Sequence, residues 1–184
     1  MAKLVYSMLA SLDGYVADEQ GDFSWAAPDE EVHAFINQLE RRVGTMLLGR
    51  RMYEVLSAWE DMELEGEPAP IAEYKDLWLA TDKVVYSSGA PEIRTARTRL
   101  ERGFDAEAVR VWKASAERDL SIGGPTLAAH ALMAGLVDEI RLFLAPVIVG
   151  GGLRALPHGY RTSLELMDQR RFAGGFVMLD YRTT

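Results

Sequence analysis

Short runs of apolar residues alternate along the chain with segments whose apolar residues recur at helical spacing. The runs have the length and the β-branched content typical of strands that are buried on both faces. They predict strands at 3–9, 45–48, 83–87, 119–122 and 140–149. Towards the end of the chain, residues 164–172 and 176–182 predict a hairpin joined at Gly174 and Gly175.

The clearest helical stripe lies within residues 28–43. Pro28 suits the first position of a helix, and the three acidic residues after it lie where the helix dipole favours anions. Gly44 suits a left-handed exit from the last turn. The apolar residues of this stripe are Val32, Phe35, Ile36, Leu39 and Val43.

Four further segments predict helices, at 49–59, 71–79, 105–117 and 125–135. In the third of these helices, the inward residues are expected to be Ala108, Val111 and Trp112. Strands that alternate with helices predict an α/β fold, with a mainly parallel sheet of about eight strands and helices on both faces. We expect one domain over residues 1–184, with ligands bound beyond the carboxyl ends of the strands.

Composition narrows the class of protein. Hydrophobic residues make up 48% of the chain and charged residues 26%, which is ordinary for a soluble globular protein. There is no cysteine, which excludes disulfides and thiolate chemistry and fits a reducing cytoplasm. The net charge of −8 opposes general attraction to nucleic acids or anionic membranes. The three dispersed histidines predict no metal site, and no apolar segment reaches the roughly 20 residues of a membrane span.

Two glycine-bearing connections are candidate phosphate sites. Gly49 lets the backbone approach a ligand closely, and Arg50 and Arg51 follow it at the predicted start of a helix. Two cations at that end of a helix call for a compensating anion, although solvated surface arginines are the alternative interpretation. Gly123 and Gly124 form a turn between a strand and a helix, which either binds phosphate or is simply a tight connection.

Hydroxyl and carboxyl groups follow other predicted strands. Ser87 and Ser88 could donate hydrogen bonds to a ribose or a phosphate, and an ordinary turn explains them equally well. Asp13 stands in a tight Asp-Gly turn, and Glu30 opens the first helix. Either carboxyl could act as a general acid, but forming a turn and complementing the helix dipole are the alternative roles.

Taken in order, these segments resemble the dihydrofolate-reductase-like superfamily. The resemblance is strongest to the reductase half of the bifunctional riboflavin-biosynthesis deaminase–reductase and to its stand-alone relatives. It implies a three-layer dihydrofolate-reductase-like fold with a C-terminal antiparallel hairpin, and a homodimer in which the region 145–153 could pack against its twin. The matching stretches are 10–14, 25, 47–54, 123–128, 135–139 and 145–152.

The resemblance implies NADPH as the hydride donor and assigns residues to it. Gly49, Arg50 and Arg51 would hold the 2′-phosphate and the pyrophosphate, with Met52 in place of the usual threonine. On the adenosine side the resemblance places Ser87 and Ser88, and on the nicotinamide side Ala10 and Trp25. The residues against the pyrophosphate and the nicotinamide ribose would be Gly123, Gly124, Pro125, Thr126 and Leu127.

The substrate side departs from the family pattern. Phe23 stands where the riboflavin reductase has a serine, and Glu40 aligns roughly with an arginine that helps to hold its substrate. A substrate-binding glutamate just before the glycine turn is replaced by Ile122. The cofactor half of the expected site is thus similar to the family, and the substrate half differs.

We therefore expect an NADPH-dependent reductase that acts on a small heterocyclic or ribosylamino substrate. The proton donor would be water, Asp13 or Glu30, and the residues do not decide among them. A protein that binds NADP, a flavin or a drug-like molecule without turnover is the alternative, and it would explain the altered substrate-side residues.

Overall fold

Eight strands form one mixed sheet in the computed structural model, which describes residues 1–184. Two short strands form a second, two-stranded sheet of their own, β2 with β8. The strands are β1 (Leu4–Ser11), β2 (Tyr15–Ala17), β3 (Val43–Gly49), β4 (Asp82–Tyr86), β5 (Thr98–Glu101), β6 (Asp119–Gly123), β7 (Glu139–Ala145), β8 (Leu153–Arg154), β9 (Leu164–Arg171) and β10 (Val177–Thr183).

Five α-helices connect the strands, and none is long and apolar enough to cross a bilayer. They are α1 (Glu30–Glu40), α2 (Arg50–Leu56), α3 (Ala69–Ala80), α4 (Ala106–Ser115) and α5 (Pro125–Met133). Two 3₁₀ turns, Ser24–Ala26 and Ser57–Trp59, precede α1 and follow α2.

The order across the sheet is β5-β4-β3-β6-β1-β7-β10-β9. The first six strands of that order are mutually parallel, and the hairpin of β9 and β10 adds an antiparallel edge. This arrangement confirms the expected fold. It also brings the carboxyl ends of the parallel strands to one edge of the sheet, which is called the carboxyl edge below.

Helices cover the sheet on both faces because side chains alternate along each strand. Leu4 and Tyr6 of β1 belong to a core cluster with α4 and α5. Leu9 packs into a second cluster on the other face, with Val32 of α1. A third cluster joins β3 and β4 to α2 and α3, and Trp78 is fully buried in it.

The first helix is shorter than its apolar stripe predicts. Its first residue is Glu30 and not Pro28, and the Asp29 carboxylate caps it by accepting a hydrogen bond of 2.9 Å from the Val32 amide. Val43 belongs to β3 and packs in the third core cluster instead of extending the stripe of α1. Gly44 also lies inside β3, so the predicted left-handed exit at Gly44 is wrong.

One other boundary and one helix face also differ from prediction. Strand β7 ends at Ala145, since Pro146 has no N–H for the ladder. In α4, Val109 is the buried residue, whereas Ala108 and Val111 are exposed. The predicted inward face was therefore rotated by about one residue, because the weak apolar character of Ala108 does not distinguish the two phases.

Three strands were not predicted at all. Strand β5 reads Thr-Arg-Leu-Glu and is the sheet's edge beside β4, so it has no continuous apolar run. Strands β2 and β8 have three and two residues. Both are too short to show a periodicity, and their pairing depends on residues far apart in the chain.

Candidate functional site

Two glycine-bearing turns lie side by side at the carboxyl edge. Strands β3 and β6 are paired in parallel, with Leu48 opposite Gly123. A Cβ atom built on Gly124 would lie 3.7 Å from the amide nitrogen of Gly49 and 3.8 Å from its Cα. The two predicted phosphate-binding turns are thus brought together, although 70 or so residues separate them in sequence.

There is little space for an added side chain at either glycine turn. Gly124 has φ +91°, a conformation that L side chains rarely adopt, and a Cβ on Gly123 would lie 3.0 Å from Leu48 and 3.2 Å from Met52. Leu127 of α5 is buried and packs within 3.5 Å of where a Cβ of Gly49 would stand. The two glycine turns therefore pack closely against each other, with no side chain of their own between the start of α2 and the start of α5.

No side chain caps either helix start. Gly49 and Gly124 are the N-cap residues of α2 and α5, and neither provides a capping side chain. Pro125 takes the first turn of α5, and Thr126 beside it is exposed. Amide groups at the start of α5 are consequently available to an anion.

The two arginines that follow Gly49 are both exposed. The Arg50 guanidinium lies 3.8 Å from Glu54 in a solvated pair, which contributes little stability. Arg51 forms no ion pair and no side-chain hydrogen bond. Both guanidinium groups can therefore reorient towards an anionic ligand at small cost.

The end of β4 carries the predicted serines. Ser87 is half-buried, and its hydroxyl accepts a hydrogen bond of 3.2 Å from the Gly89 amide, whereas Ser88 is exposed. An aromatic cluster that was not predicted surrounds this position. The Phe104 ring lies 5.7 Å from the Tyr86 ring and is stacked at 5.9 Å on His130 of α5. Only the three-dimensional pairing of β4, β5 and α5 unites these rings, so no local sequence signal could have selected them.

On the other side of the carboxyl edge lie Ala10 and Trp25. Ala10 is fully buried near the end of β1, in a small core cluster with Val16 and Ala155. Trp25 is half-buried on the α1 side and donates its indole N–H to the Asp22 carbonyl at 3.1 Å. Both predicted nicotinamide-side residues thus flank the final residues of β1.

Asp13 holds two loops together. Its carboxylate accepts hydrogen bonds from the amides of Val149 (3.2 Å) and Gly150 (2.8 Å). The Ser11 hydroxyl and then these two amides stabilise the charged form and hold its pKa below the usual value. A carboxylate kept ionised by its bonds is a poor proton donor, so this geometry favours the turn-forming role of Asp13.

Glu30 is exposed on the first turn of α1 and has no hydrogen-bond partner. Its neighbour Glu31 accepts a hydrogen bond of 2.8 Å from the Ala173 amide, in the turn between β9 and β10. The α1 start is thereby fixed at the carboxyl edge. Nothing in the surroundings of Glu30 marks it as a general acid, and its catalytic role stays a prediction.

The three residues that depart from the family pattern lie in different places. Phe23 is exposed, just before the 3₁₀ turn. Ile122 is buried with α4 and α5, on the face of the sheet opposite α1. Glu40 ends α1 at the far edge of the sheet, where Arg118 donates to the Arg41 carbonyl. The Glu40 carboxylate therefore lies away from the glycine turns.

Glu40 has an unusual environment of its own. Its Oε2 atom is buried without a hydrogen-bond partner, although the residue as a whole is half-buried. Burial raises the pKa of its carboxyl to about 7, and the nearby Arg141 guanidinium only partly opposes that shift. Arg141 is itself held by Asp180 at 2.6 Å. Glu40 is thus a half-buried acid with one carboxylate oxygen shielded from solvent.

A mainly parallel sheet with this strand order, and with glycine turns at its carboxyl edge, defines the class of dihydrofolate-reductase-like proteins. The chain belongs to the family of the RibD C-terminal domain, whose profile matches residues 2–178. Relatives include the uncharacterized proteins YyaP and YwjB of Bacillus subtilis. Each is 26% identical to this chain, and the matches cover 97% of this chain and 94% and 97% of the relatives.

Solved structures share the fold over the whole chain. A putative riboflavin biosynthesis protein from Shewanella sp. PV-4 superposes with a TM-score of 0.77 at 20% identity, covering 100% of this chain and 99% of that one. RibD of Acinetobacter baumannii gives 0.72 at 14% identity, covering 100% of this chain and 58% of its own. Dihydrofolate reductase from Enterococcus faecalis, complexed with NADP(H), gives 0.63 at 13% identity, covering 99% and 96%.

Proposed function

We propose that this protein is an NADPH-dependent reductase of a small heterocyclic or ribosylamino compound. The observation that carries the proposal is the meeting of two bare glycine turns at the carboxyl edge, next to two exposed arginines. Membership of the RibD C-terminal family and the fold shared with an NADP(H)-binding dihydrofolate reductase support it.

The residues at this edge fit a dinucleotide phosphate. Gly49 and Gly124 place no side chain at the two turns, and the start of α5 offers uncapped amides to a pyrophosphate. Arg50 and Arg51 add positive charge for a 2′-phosphate, against an overall net charge of −8. The partly exposed Tyr86 and Phe104 rings beside Ser87 offer surfaces on which an adenine could stack.

NADPH would supply the hydride, and the chain's own contribution would be to bind, orient and exclude water. The substrate would lie between Trp25 and the end of β1, beside the apolar cluster that α1 forms with the sheet. Because the Asp13 carboxylate is engaged with two amides, we propose that water delivers the proton, with Glu30 as the one nearby carboxyl free to hold that water.

The three residues that depart from the family pattern bear on which substrate this protein would reduce. Ile122 is buried on the opposite face and Glu40 lies at the far edge, so neither would contact a substrate at the carboxyl edge. The exposed Phe23 adds apolar surface near that edge. We therefore propose a substrate with little or no anionic charge, in preference to a phosphoribosylated pyrimidine.

Calorimetric titration with NADPH and with NADH tests the cofactor part of the proposal. We expect tight binding of NADPH and much weaker binding of NADH, because the arginines would pair chiefly with the 2′-phosphate. NADPH oxidation during incubation with pterins, pyrimidines and other C=N or C=O heterocycles then tests turnover. If neither nucleotide binds, the glycine turns are structural and the reductase proposal fails.

A binding protein without turnover is the second candidate. The observation that favours it is that hydrogen bonds hold the Asp13 carboxylate ionised, while Glu40, whose pKa is raised, lies at the opposite edge. Tight NADPH binding, together with no oxidation across the heterocycle panel, would support this candidate over the reductase.

A further inference from the structure

Three aromatic rings that the cofactor proposal does not use join α1 to α3 and to the segment after α2. The His33 ring lies edge-on to Trp59, with ring centroids 5.8 Å apart, and edge-on to Tyr74 of α3 at 5.5 Å. The rings of Trp59 and Tyr74 are 4.8 Å apart. These three rings are called the ring trio below, and each pair in it is close enough for a stabilising aromatic contact.

The ring trio lies at the inner end of a gap between α1 and α2. These helices and α3 cover one face of the sheet, opposite α4 and α5. Helix α2 follows β3 directly, and a hydrogen bond from Ala173 to Glu31 fixes the start of α1, so both helices begin at the carboxyl edge. His33 lies one turn into α1, and Trp59 lies three residues past the end of α2. The gap therefore opens at the carboxyl edge, where the substrate would lie, and the ring trio closes it from inside.

Asn37 orients the imidazole ring of His33. It is fully buried one turn further along α1, and its amide N–H₂ group donates to the Pro70 carbonyl (2.8 Å) and to the Glu73 carboxylate (3.1 Å). Its Oδ1 atom and the Nδ1 atom of His33 are both buried without a close partner, and a weak hydrogen bond links the two side chains. Because an amide oxygen can only accept, Nδ1 of His33 carries the proton.

The Nε2 atom of His33 is consequently an unprotonated acceptor. No group of the chain donates to it, and, unlike Nδ1, it is not shut off from solvent, although the residue as a whole is only 8% exposed. Burial lowers the pKa of His33, and the hydrogen bond to Asn37 and the charge of Glu73 oppose that shift only in part, so the ring is mostly neutral at pH 7. A nearly buried acceptor without a donor costs free energy, which a ligand that donates to it would restore.

We propose that His33 is a specificity-determining residue of the substrate site, whose Nε2 atom accepts a hydrogen bond from a ring N–H of the substrate. The half-buried Trp59 would contact the flat face of the same ring. This inference rests on the proposed reductase function and names its substrate class, a flat heterocycle with an N–H in the ring, such as a lactam or an imide. A fully N-alkylated heterocycle would be rejected, because it would leave Nε2 unpaired.

Proton–nitrogen NMR spectra of the histidine rings test this geometry in the free chain. At pH 7 we expect His33 to be neutral with the proton on Nδ1, and Asn37→Leu to remove the preference for that tautomer. His158, which is exposed in a loop, should give the same signals in both chains. A proton on Nε2 of His33 in the wild type would leave no acceptor for the substrate, and that result overturns the proposal.

Titration with uracil and with its N,N-dimethyl derivative, followed at the Nε2 signal of His33, tests the substrate class. Uracil has ring N–H groups and should shift the signal, whereas the dimethyl derivative should not. His33→Phe keeps an aromatic ring but removes the acceptor, so it should weaken uracil binding at least about tenfold. His158→Phe is the matched control and should bind uracil as the wild type does.

Three results of the titration overturn the proposal. The Nε2 signal is shifted by neither compound, or it is shifted equally by both, or a folded His33→Phe chain binds uracil with unchanged affinity. NADPH binding, measured alongside, should be the same in both variants and in the wild type. Because the NMR test needs no cofactor, this proposal and the reductase proposal fail separately.

Discussion

Arg50 and Arg51 are the residues on which cofactor preference would depend. If Arg50 pairs with the 2′-phosphate as proposed, replacing it with alanine would remove a charge-assisted contact and should raise the NADPH dissociation constant roughly 10- to 100-fold. NADH lacks that phosphate, so its affinity should change little. Calorimetry on the variant measures both values.

Arg42→Ala is the matched control for that substitution. Arg42 is also exposed, but it lies between α1 and β3 at the opposite edge of the sheet. The control should bind both nucleotides as the wild type does. Equal weakening of NADPH and NADH by Arg50→Ala would contradict a role at the 2′-phosphate.

Glu40 makes stability depend on pH. Its carboxyl has a pKa of about 7 in the folded chain against 4.5 normally, so the folded state binds the proton more tightly than the unfolded state. Stability should therefore fall as pH rises from about 4.5 to about 7, and then level off. Glu40→Gln removes this slope and should raise the free energy of unfolding at pH 8 by about 1–3 kcal/mol.

Urea unfolding at pH 5 and pH 8 measures this effect. Glu30→Gln serves as the comparison, because Glu30 is exposed and should leave the pH dependence unchanged. If Glu40→Gln unfolds with the same pH slope as the wild type, burial of the Glu40 carboxyl is not the cause.

At the scale of elements, the turn between β6 and α5 carries the next prediction. Gly124→Ala forces a side chain into φ +91° and towards Gly49. The strain should cost about 1 kcal/mol of stability, and the added methyl should weaken NADPH binding at least about tenfold. Thermal unfolding and calorimetry separate the two effects.

Gly135→Ala distinguishes strain from lost binding. Gly135 follows α5 with φ +64°, and a Cβ there would meet nothing within 4 Å. Its stability loss should be similar, and its NADPH affinity should stay at the wild-type value. An unchanged affinity in Gly124→Ala would show that the nucleotide does not approach this turn.

The loops that Asp13 joins carry a prediction of their own. Asp13→Asn removes the negative charge that accepts from the Val149 and Gly150 amides. Hydrogen exchange at these two amides should become faster, while exchange within β7 should not change. Ser88→Ala, at the end of another strand, is the control. Unaltered protection of both amides would mean that the loops hold together without this carboxylate.

Some helices and strands could be predicted from the sequence and others could not, and the difference has a physical reason. The strands with continuous apolar runs and the stripe of α1 could be predicted, because burial on both faces of a sheet or on one face of a helix leaves a local pattern. Strand β5 could not be predicted, since its exposed Arg and Glu side chains interrupt any continuous apolar run. The start of α1 depends on one hydrogen bond to the Asp29 carboxylate, and the end of β7 on the missing N–H of Pro146.

The same distinction applies to the candidate site. The glycine turns and arginines carry local signals, and the fold then brings the two turns together. The aromatic cluster of Tyr86, Phe104 and His130 arises from three separate segments. The bonds of Asp13 to Val149 and Gly150 likewise cross most of the chain length, so the sequence could suggest only that Asp13 forms a turn.

For the whole molecule, cofactor binding should be visible as added stability. A nucleotide that binds only the folded chain at 100 times its dissociation constant contributes about 2.7 kcal/mol. For a chain of 184 residues this corresponds to an increase in Tm of roughly 5–11 °C. Thermal unfolding with NADPH measures it, and NADH at the same concentration is the control. An equal increase in Tm with NADPH and with NADH, or no increase with either, would contradict selective binding of NADPH.

The position of β1 in the sheet has a consequence for how the chain is made. Strand β1 is synthesised before the other strands of its sheet, yet its two neighbours are β6 and β7. Its apolar residues therefore have no partner strand until residue 123 has been synthesised, and lack the second one until residue 145. During that interval the nascent chain exposes an unpaired hydrophobic strand, and partly folded chains with such exposed surface are prone to aggregate. Yield in the cell should accordingly depend on chaperones that shield the amino-terminal segment during translation.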